Sequence, residues 1–249
     1  LSRKTEIDFY RDVPSRNLKG FATRSDGRLV AGPTLRELAG RPPADLLWVL
    51  EPTPEPTRWL VATGPEGRIV EVALDPSAAT YETREIIRLE EPQVFALKRL
   101  PDGSLLAGTS PKGALYLVRD DQVTARTVLP VDSIFDLLPL DSRTALVATG
   151  NPGRIYRVDL ERFAASGVHA EKVTEPERLA ERGITLSGQI RDRNVRRLAA
   201  LADGRIAAGS SPRGNLYAFP RDPGRAPTGG APVILQEHRD AEVTDLLAT

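Results

Sequence analysis

Apolar residues in this chain come in short runs separated by tight clusters of Gly, Pro, Ser, Asn and Asp, and the runs repeat. Residues 59–72 read WLVATGPEGRIVEV, 104–118 SLLAGTSPKGALYLV, 144–158 TALVATGNPGRIYRV and 205–219 RIAAGSSPRGNLYAF. Each phrase is an apolar run, a Gly/Pro loop and a second apolar or aromatic run, which is the pattern of a β-hairpin. A further run precedes each phrase, at 46–50 (LLWVL), 94–100 (VFALKRL), 134–140 (IFDLLPL) and 195–201 (VRRLAAL), with a weaker one at 18–23. Asp-Gly pairs at 26–27, 102–103 and 203–204 follow three of these runs, and Gly supplies there the positive φ that a two-residue hairpin loop needs. A fourth run closes most units, at 81–89, 123–129 and 232–236.

Four short antiparallel strands repeating roughly every 40–60 residues describe a propeller blade. The pattern therefore predicts an all-β fold, a β-propeller of four-stranded antiparallel blades, with residues 1–249 forming one propeller domain. Helical repeats would need a 3.6-residue apolar period over longer segments, and a leucine-rich repeat would need a shorter unit. Four units are clear and a weaker one lies near 18–38, giving about five. Five blades make a small ring, so the expectation is a piece of a six- or seven-bladed one. Residues 242–249 (EVTDLLAT) match VRRLAAL in shape and read as the first strand of a further blade. That strand either closes a ring with 5–11 (TEIDFYR) or continues into more sequence. One unit carries an insertion at about 160–193, read as a surface excursion on a single blade. Within it, 175–183 (EPERLAERG) predicts a short helix with Pro176 early, Leu179 and Ala180 apolar, and Gly183 at its end.

Composition narrows the partners more than the chemistry. The 249 residues balance 34 basic against 34 acidic side chains, so no global field favours nucleic acid or anionic lipid. No apolar stretch approaches the roughly 20 residues of a membrane span. Cysteine is absent, which removes disulfides, thiolate metal sites and Cys nucleophiles together. Methionine is absent too, so Leu1 reads as a processed or trimmed start. A bacterial periplasmic or envelope location is favoured over the cytoplasm.

The segment DGSLLAGTSPKGALYLV at 102–118 resembles the blade repeats of bacterial sensor propellers, which carry an Asp-Gly turn, a strand ending in Gly-Thr and a Gly-Leu-Tyr-like start to the next strand. GSSPRGNLYAF at 209–219 is similar to the repeats of pyrroloquinoline-quinone-type and other WD40-like bacterial propellers. The resemblance covers nearly the whole chain apart from the insertion, and implies architecture. Such families include sensor domains, scaffolds and enzymes.

The chemistry-bearing residues are few. His169 and His238 are the two histidines, one in the insertion and one in a loop, with no nucleophile motif beside either. The loops GTSPKG and GSSPRG pair glycines with Lys112 and Arg213, but a strand follows each, whereas a phosphate cradle requires a helix N-terminus. No catalytic residue, metal ligand or cofactor is assigned. The better place is the propeller axis, where first strands lie innermost. Aligning these strands puts Ala96, Asp136, Arg197 and Asp245 in one column with Arg196 beside it, suited to a small polar ligand or a charged peptide, or else to ion pairs between blades. The polar residues leading into each blade (Gln93, Asp132 and Ser133, Arg193 and Asn194, Asp240 and Glu242) form a second set on one disc face. Trp48 and Trp59 lie within strand runs and read as packing residues. The sequence points to a non-catalytic binding or scaffolding module with a protein partner. The alternatives are a hydrolase or lyase working at the central channel, and a sensor domain of a longer signalling protein.

Overall fold

The computed structural model describes residues 19–24, 26, 28–32, 37–221, 232–238 and 242–247. Within them β1 (Phe21–Thr23) and β2 (Leu29–Ala31) form a two-stranded hairpin. Four antiparallel blades follow. The first is β3 (Leu46–Pro52), β4 (Arg58–Gly64), β5 (Arg68–Asp75) and β6 (Thr80–Arg88). The second is β7 (Gln93–Arg99), β8 (Leu105–Ser110), β9 (Ala114–Arg119) and β10 (Gln122–Val128). The third begins with β11 (Ser133–Pro139), β12 (Thr144–Gly150) and β13 (Arg154–Asp159). After it come helix α1 (Leu160–Ser166), β14 (Val168–Lys172) and helix α2 (Pro176–Glu181), and then β15 (Ile184–Gln189), which completes the third blade against β13. The fourth is β16 (Asn194–Ala200), β17 (Arg205–Ser211), β18 (Leu216–Pro220) and β19 (Val233–Gln236). Successive first strands pack on one another, β3 on β7, β7 on β11 and β11 on β16, so they form the inner wall of a propeller.

The repeated phrase has a physical reason at each place. Thr63, Thr109, Thr149 and Ser210 occupy one repeat position and are fully buried. Each hydroxyl donates to the carbonyl five residues on: Arg68 at 2.8 Å, Ala114 at 3.1 Å, Arg154 at 3.0 Å and Asn215 at 3.2 Å. The hairpin loop is thereby closed by a buried side-chain hydrogen bond, joined in the fourth blade by the Ser210 amide, which donates to the same Asn215 carbonyl at 3.0 Å. All four loops also contain a cis X–Pro bond.

The glycine that ends each loop is set by the neighbouring blade. The Gly67 and Gly113 carbonyls accept from Leu89 (2.9 Å) and Leu129 (3.0 Å), the residues that leave the fourth strand, and the linker then crosses over the glycine. A Cβ on Gly67 would strike the carbonyl oxygen of Glu91, and one on Gly113 would lie 2.9 Å from that of Val131. Both glycines also have positive φ, 61° and 57°. Small residues recur where the chain lands on the preceding blade: Gly108 faces Ile134 of β11, and Gly209 faces Val243 of the C-terminal segment.

Three expectations need correction. The insertion is 160–183, because β15 belongs to the blade proper. It is also no surface excursion, since Phe163, Val173 and Leu179 are buried in the same core cluster as Leu117 and Leu129 of the second blade. Strand β14 adds in parallel to the outer edge of β10, with the Val173 amide donating to Val128 at 3.0 Å. Helix α1 was not foreseen. It starts where the Asp159 side chain accepts from the Arg162 amide at 3.1 Å, an N-cap. The helix expected over 175–183 is α2, with Glu175 as its N-cap residue.

The third correction concerns residues 242–247, which are not a strand. They meet the fourth blade through one backbone bond, Val243 amide to Ser210 carbonyl at 3.1 Å, without a ladder. The segment 5–11, Gly27, Asp240 and residues 248–249 lie outside the described residues. Among those described, no helix is long and apolar enough to cross a membrane.

The crossing linkers make a quantitative prediction. Gly113→Ala combines a left-handed backbone, about 1–2 kcal/mol, with overpacking of about 1–3 kcal/mol. Gly204, at φ 82° with nothing within 4 Å of its Cβ position, carries only the first cost as Gly204→Ala. Urea denaturation followed by far-UV circular dichroism is expected to lower the midpoint of the first variant more than that of the second.

Candidate functional site

Every inner strand breaks its ladder at the third residue. The register slips between Leu47 and Val49, Val94 and Ala96, Ile134 and Asp136, and Val195 and Arg197. Each slip is a β-bulge, a device that re-aims one side chain. The residues so released are Trp48, Phe95, Phe135 and Arg196, and they touch in sequence. Trp48 meets Phe95 edge-on at 4.7 Å, Phe95 stacks on Phe135 at 5.7 Å, and the Arg196 guanidinium lies over Phe135 at 4.3 Å. Four blades thus contribute one side chain each to a continuous strip along the inner rim.

Neighbours hold the strip in place. The Trp48 indole N–H donates to Gln93 Oε1 at 2.7 Å, across the first blade junction. Gly64 and Gly150 lie under the rings: a Cβ on Gly64 would meet Trp48 Nε1 at 2.9 Å, and one on Gly150 would strike Phe135 and Asn194. The strip is nevertheless accessible, with Trp48 42% exposed and Phe95, Phe135 and Arg196 half-buried. Arg196 is unusual in its lack of partners. Its Nε is buried without a hydrogen bond, and no carboxylate among the described residues lies within ion-pairing distance. Burial pulls its pKa below the ordinary guanidinium value, with Arg197 adding to the shift and Glu242 opposing it.

The residues singled out from sequence fall around this strip. Ala96, Asp136 and Arg197 each directly follow a bulge. Asp136 Oδ2 accepts from the Leu198 amide at 2.8 Å, so a third-blade carboxylate satisfies a fourth-blade N–H on the inner strand's unpaired edge. Burial nonetheless raises its pKa, against the opposing pull of that bond and of Arg197. Arg197 donates to the Phe135 carbonyl at 3.2 Å and approaches Asp245 at 3.6 Å. The Asp245 side chain is 85% exposed, and such a pair is worth little. Asp132 accepts from the Asn151 amide group, and Asn194 Nδ2 donates to Ser211 at 3.0 Å. These two flank Gly150, beside Phe135. Lys98 belongs to another clasp, in which Glu51 of the first blade accepts from Lys98 Nζ at 2.9 Å and from the Arg99 amide at 3.1 Å.

Sequence reading missed a pair of enclosed acids, one buried and one part-buried. Glu91 and Asp192 stand two residues before β7 and β16. Glu91 accepts from Tyr116 (2.6 Å), Thr109 (3.3 Å) and Arg126 (2.7 Å), all buried. Asp192 accepts from Ser210 (2.7 Å), Asn215 (2.9 Å) and Tyr217 (2.8 Å). Burial, then the adjacent Glu91, pushes the Tyr116 hydroxyl well above its usual pKa, so it is a poor acid and a poor nucleophile. Arg126 binds the Tyr116 oxygen at 2.7 Å and the His169 carbonyl at 3.1 Å, tying the inserted strand to the second blade. The signal was present in the shared spacing of acid and Tyr in these two units. The third unit has Val131 at that place, which hides it.

The histidines take no part in such a cluster: His169 Nε2 sits 2.8 Å from the Ser166 carbonyl, and His238 lies in coil.

No family model matches the chain, and no curated protein matches it. Solved structures do. A chain in the crystal structure of the mitotic checkpoint complex aligns with TM-score 0.54 at 12% identity, over 88% of this chain and 57% of its own length. The Cps50 (Swd1) β-propeller domain of Myceliophteria thermophila aligns with TM-score 0.51 at 18% identity, over 77% and 59%. Kuenenia stuttgartiensis hydrazine synthase aligns with TM-score 0.52 at 13% identity, over 77% and 55%. The chain therefore spans less than two thirds of the length of these structures, and at such identities the likeness is one of fold: this chain is a β-propeller repeat protein.

Proposed function

We propose that the chain, acting as one propeller unit, is a non-catalytic interaction scaffold that presents its inner rim to a protein partner. The observation that carries this is the strip Trp48–Phe95–Phe135–Arg196: three aromatics and an arginine, placed by four separate bulges and left accessible. Trp, Tyr and Arg are the residue types that dominate interface energetics. The buried ionisable groups are otherwise engaged. Glu91 and Asp192 hold the loops of their blades, Glu51 and Asp136 clasp neighbouring inner strands, and Arg126 anchors the insertion. On this reading Asp136 and Arg197 serve the wall, Asp132 and Asn194 frame the strip, and Arg196 is the contact residue. The organisation resembles a socket whose walls are ionic and whose lining is aromatic.

The role given to Asp136 has a pH signature. Its raised pKa means that the folded state holds the proton more tightly than the unfolded chain. Stability is therefore fullest below the ordinary carboxylate range and is lost as pH rises through the raised value. Asp136→Asn keeps an acceptor for the Leu198 amide and removes the charge. The melting temperature of the variant, minus that of the wild type, is expected to grow between pH 4 and pH 7; a flat difference would remove Asp136 from the clasp.

The scaffold reading is tested by affinity capture from the source organism with quantitative mass spectrometry. A stoichiometric partner is expected on the wild type and to be lost from a Trp48→Ala/Phe135→Ala variant that keeps its circular dichroism spectrum. Hot-spot truncations of this kind cost about 2 kcal/mol or more, on the order of 30-fold in affinity. A monomeric protein that retains no partner would overturn the reading.

A further inference from the structure

The chemistry of the strip is polarised, and this says what the partner brings. At one end Trp48 offers exposed apolar surface, and its one donor is already committed to Gln93. At the other end the Arg196 guanidinium carbon lies over the Phe135 ring, 4.3 Å from its centre, and its N–H groups make no hydrogen bond among the described residues. A guanidinium seated over a ring and half-buried has lost side-chain freedom in advance, and a planar fork matches a carboxylate with two parallel hydrogen bonds. Half-buried, it also gains more from an opposite charge than an exposed arginine would.

Resting on the scaffold reading above, we propose that the strip binds an extended peptide segment of the partner in which an Asp or Glu adjoins apolar side chains: the carboxylate pairs with Arg196, and the apolar side chains lie along Phe135, Phe95 and Trp48. Length supports a peptide. Successive groups in the strip are 4.7, 5.7 and 4.3 Å apart. An extended chain advances roughly 3.3–3.6 Å per residue, so about four residues cover the strip. Charge supports an acidic residue in a mostly apolar context and argues against a polyanion. Arg196 is the one charged member of the strip and has no ion-pair partner among the described residues, and Arg197 beside it already approaches Asp245, so the site offers one free cation to one carboxylate and no row of cations to a phosphate backbone.

The test is selection of the whole chain against a phage-displayed library of random heptapeptides, followed by fluorescence anisotropy with the enriched peptides. Enriched sequences are expected to carry one Asp or Glu next to Phe, Trp or Leu. Changing that acid to Asn or Gln, or making Arg196→Gln, is expected to weaken binding at least tenfold. Arg196→Lys, which keeps the charge but not the planar fork, is expected to recover only part of it, and Trp48→Ala to weaken every peptide. Circular dichroism and melting of each variant separate loss of binding from loss of fold. Enriched peptides that need Trp48 but no acid would overturn the proposal and leave the scaffold reading standing. No enrichment, together with no captured partner, would remove both. Tighter binding of a fluorescent oligo-dT strand than of any peptide, lost in Arg196→Gln, would assign the strip to single-stranded nucleic acid instead.

Discussion

Everything in this molecule depends on how closely one blade can approach the next. The linker leaving a fourth strand must cross the loop of its own blade before the next inner strand begins, and the crossing is possible because the loop ends in glycine. Gly67 and Gly113 lie under the carbonyls of Glu91 and Val131, and Gly153 under that of Asp192. With the linker in place, the first apolar residue of the new strand drops onto a small residue of the previous blade, as Ile134 does on Gly108. The repeated wording of the chain is the record of this contact. The apolar runs make strands, but the small residues between them let strands of different sheets come together, and the hydroxyls of Thr63, Thr109, Thr149 and Ser210 close the loops that do so.

That dependence explains what was legible in the sequence. Hairpins and fourth strands rest on local rules, alternation and turn chemistry, and they lie where those rules put them: β7 to β10 occupy the runs read at 94–100, 104–118 and 123–129. The Asp-Gly turns at 102–103 and 203–204 carry the expected positive φ at glycine, but each closes a three-residue loop, 101–103 and 202–204, and not the two-residue one expected. The parallel addition of β14 to β10 is a tertiary event between segments distant in sequence, and nothing in VHAEK announces it. Helix α1 was hidden because its seven residues follow a strand without a break, with Asp159 serving as both strand end and cap. The candidate column of Ala96, Asp136 and Arg197 could be aligned from apolar spacing. The strip one residue earlier could not, because a bulge is invisible in a pattern that alternates on either side of it. Trp48 and Phe95 look like ordinary strand aromatics until the register slips.

The acids show a similar division. Glu91 and Asp192 share a repeat position but not a residue type, and their partners Tyr116 and Tyr217 lie two strands away. Buried carboxylates survive only where hydrogen bonds replace water, and each of these accepts three. Replacing one partner would leave a charge uncompensated, at about 3–5 kcal/mol for a buried pair such as Glu91 and Arg126. Enclosed acids invite an active-site reading, yet the hydrogen bonding of Glu91 and Asp192 is saturated, and saturation distinguishes a structural network from a reactive one. Arg196 inverts this: desolvated in part, seated over the Phe135 ring, and without an acceptor among the described residues.

Two kinds of exposed apolar surface remain, and the repeat separates them. Leu47 and Leu50 are 49% and 61% exposed, yet their register equivalents in the next blade, Val94 and Leu97, are 0% and 1% exposed because a preceding blade covers them. Exposure at a position buried elsewhere in the repeat belongs to the packing surface of a blade, and Leu47 and Leu50 share that open apolar face with Trp59 and Tyr81. Trp48, Phe95 and Phe135 are different, since the bulge position retains access in the interior blades as well as in the first. A surface that stays open when its neighbours are in place has been kept out of the core by geometry repeated four times. We therefore place the proposed contact on the rim and not on the open face of the first blade.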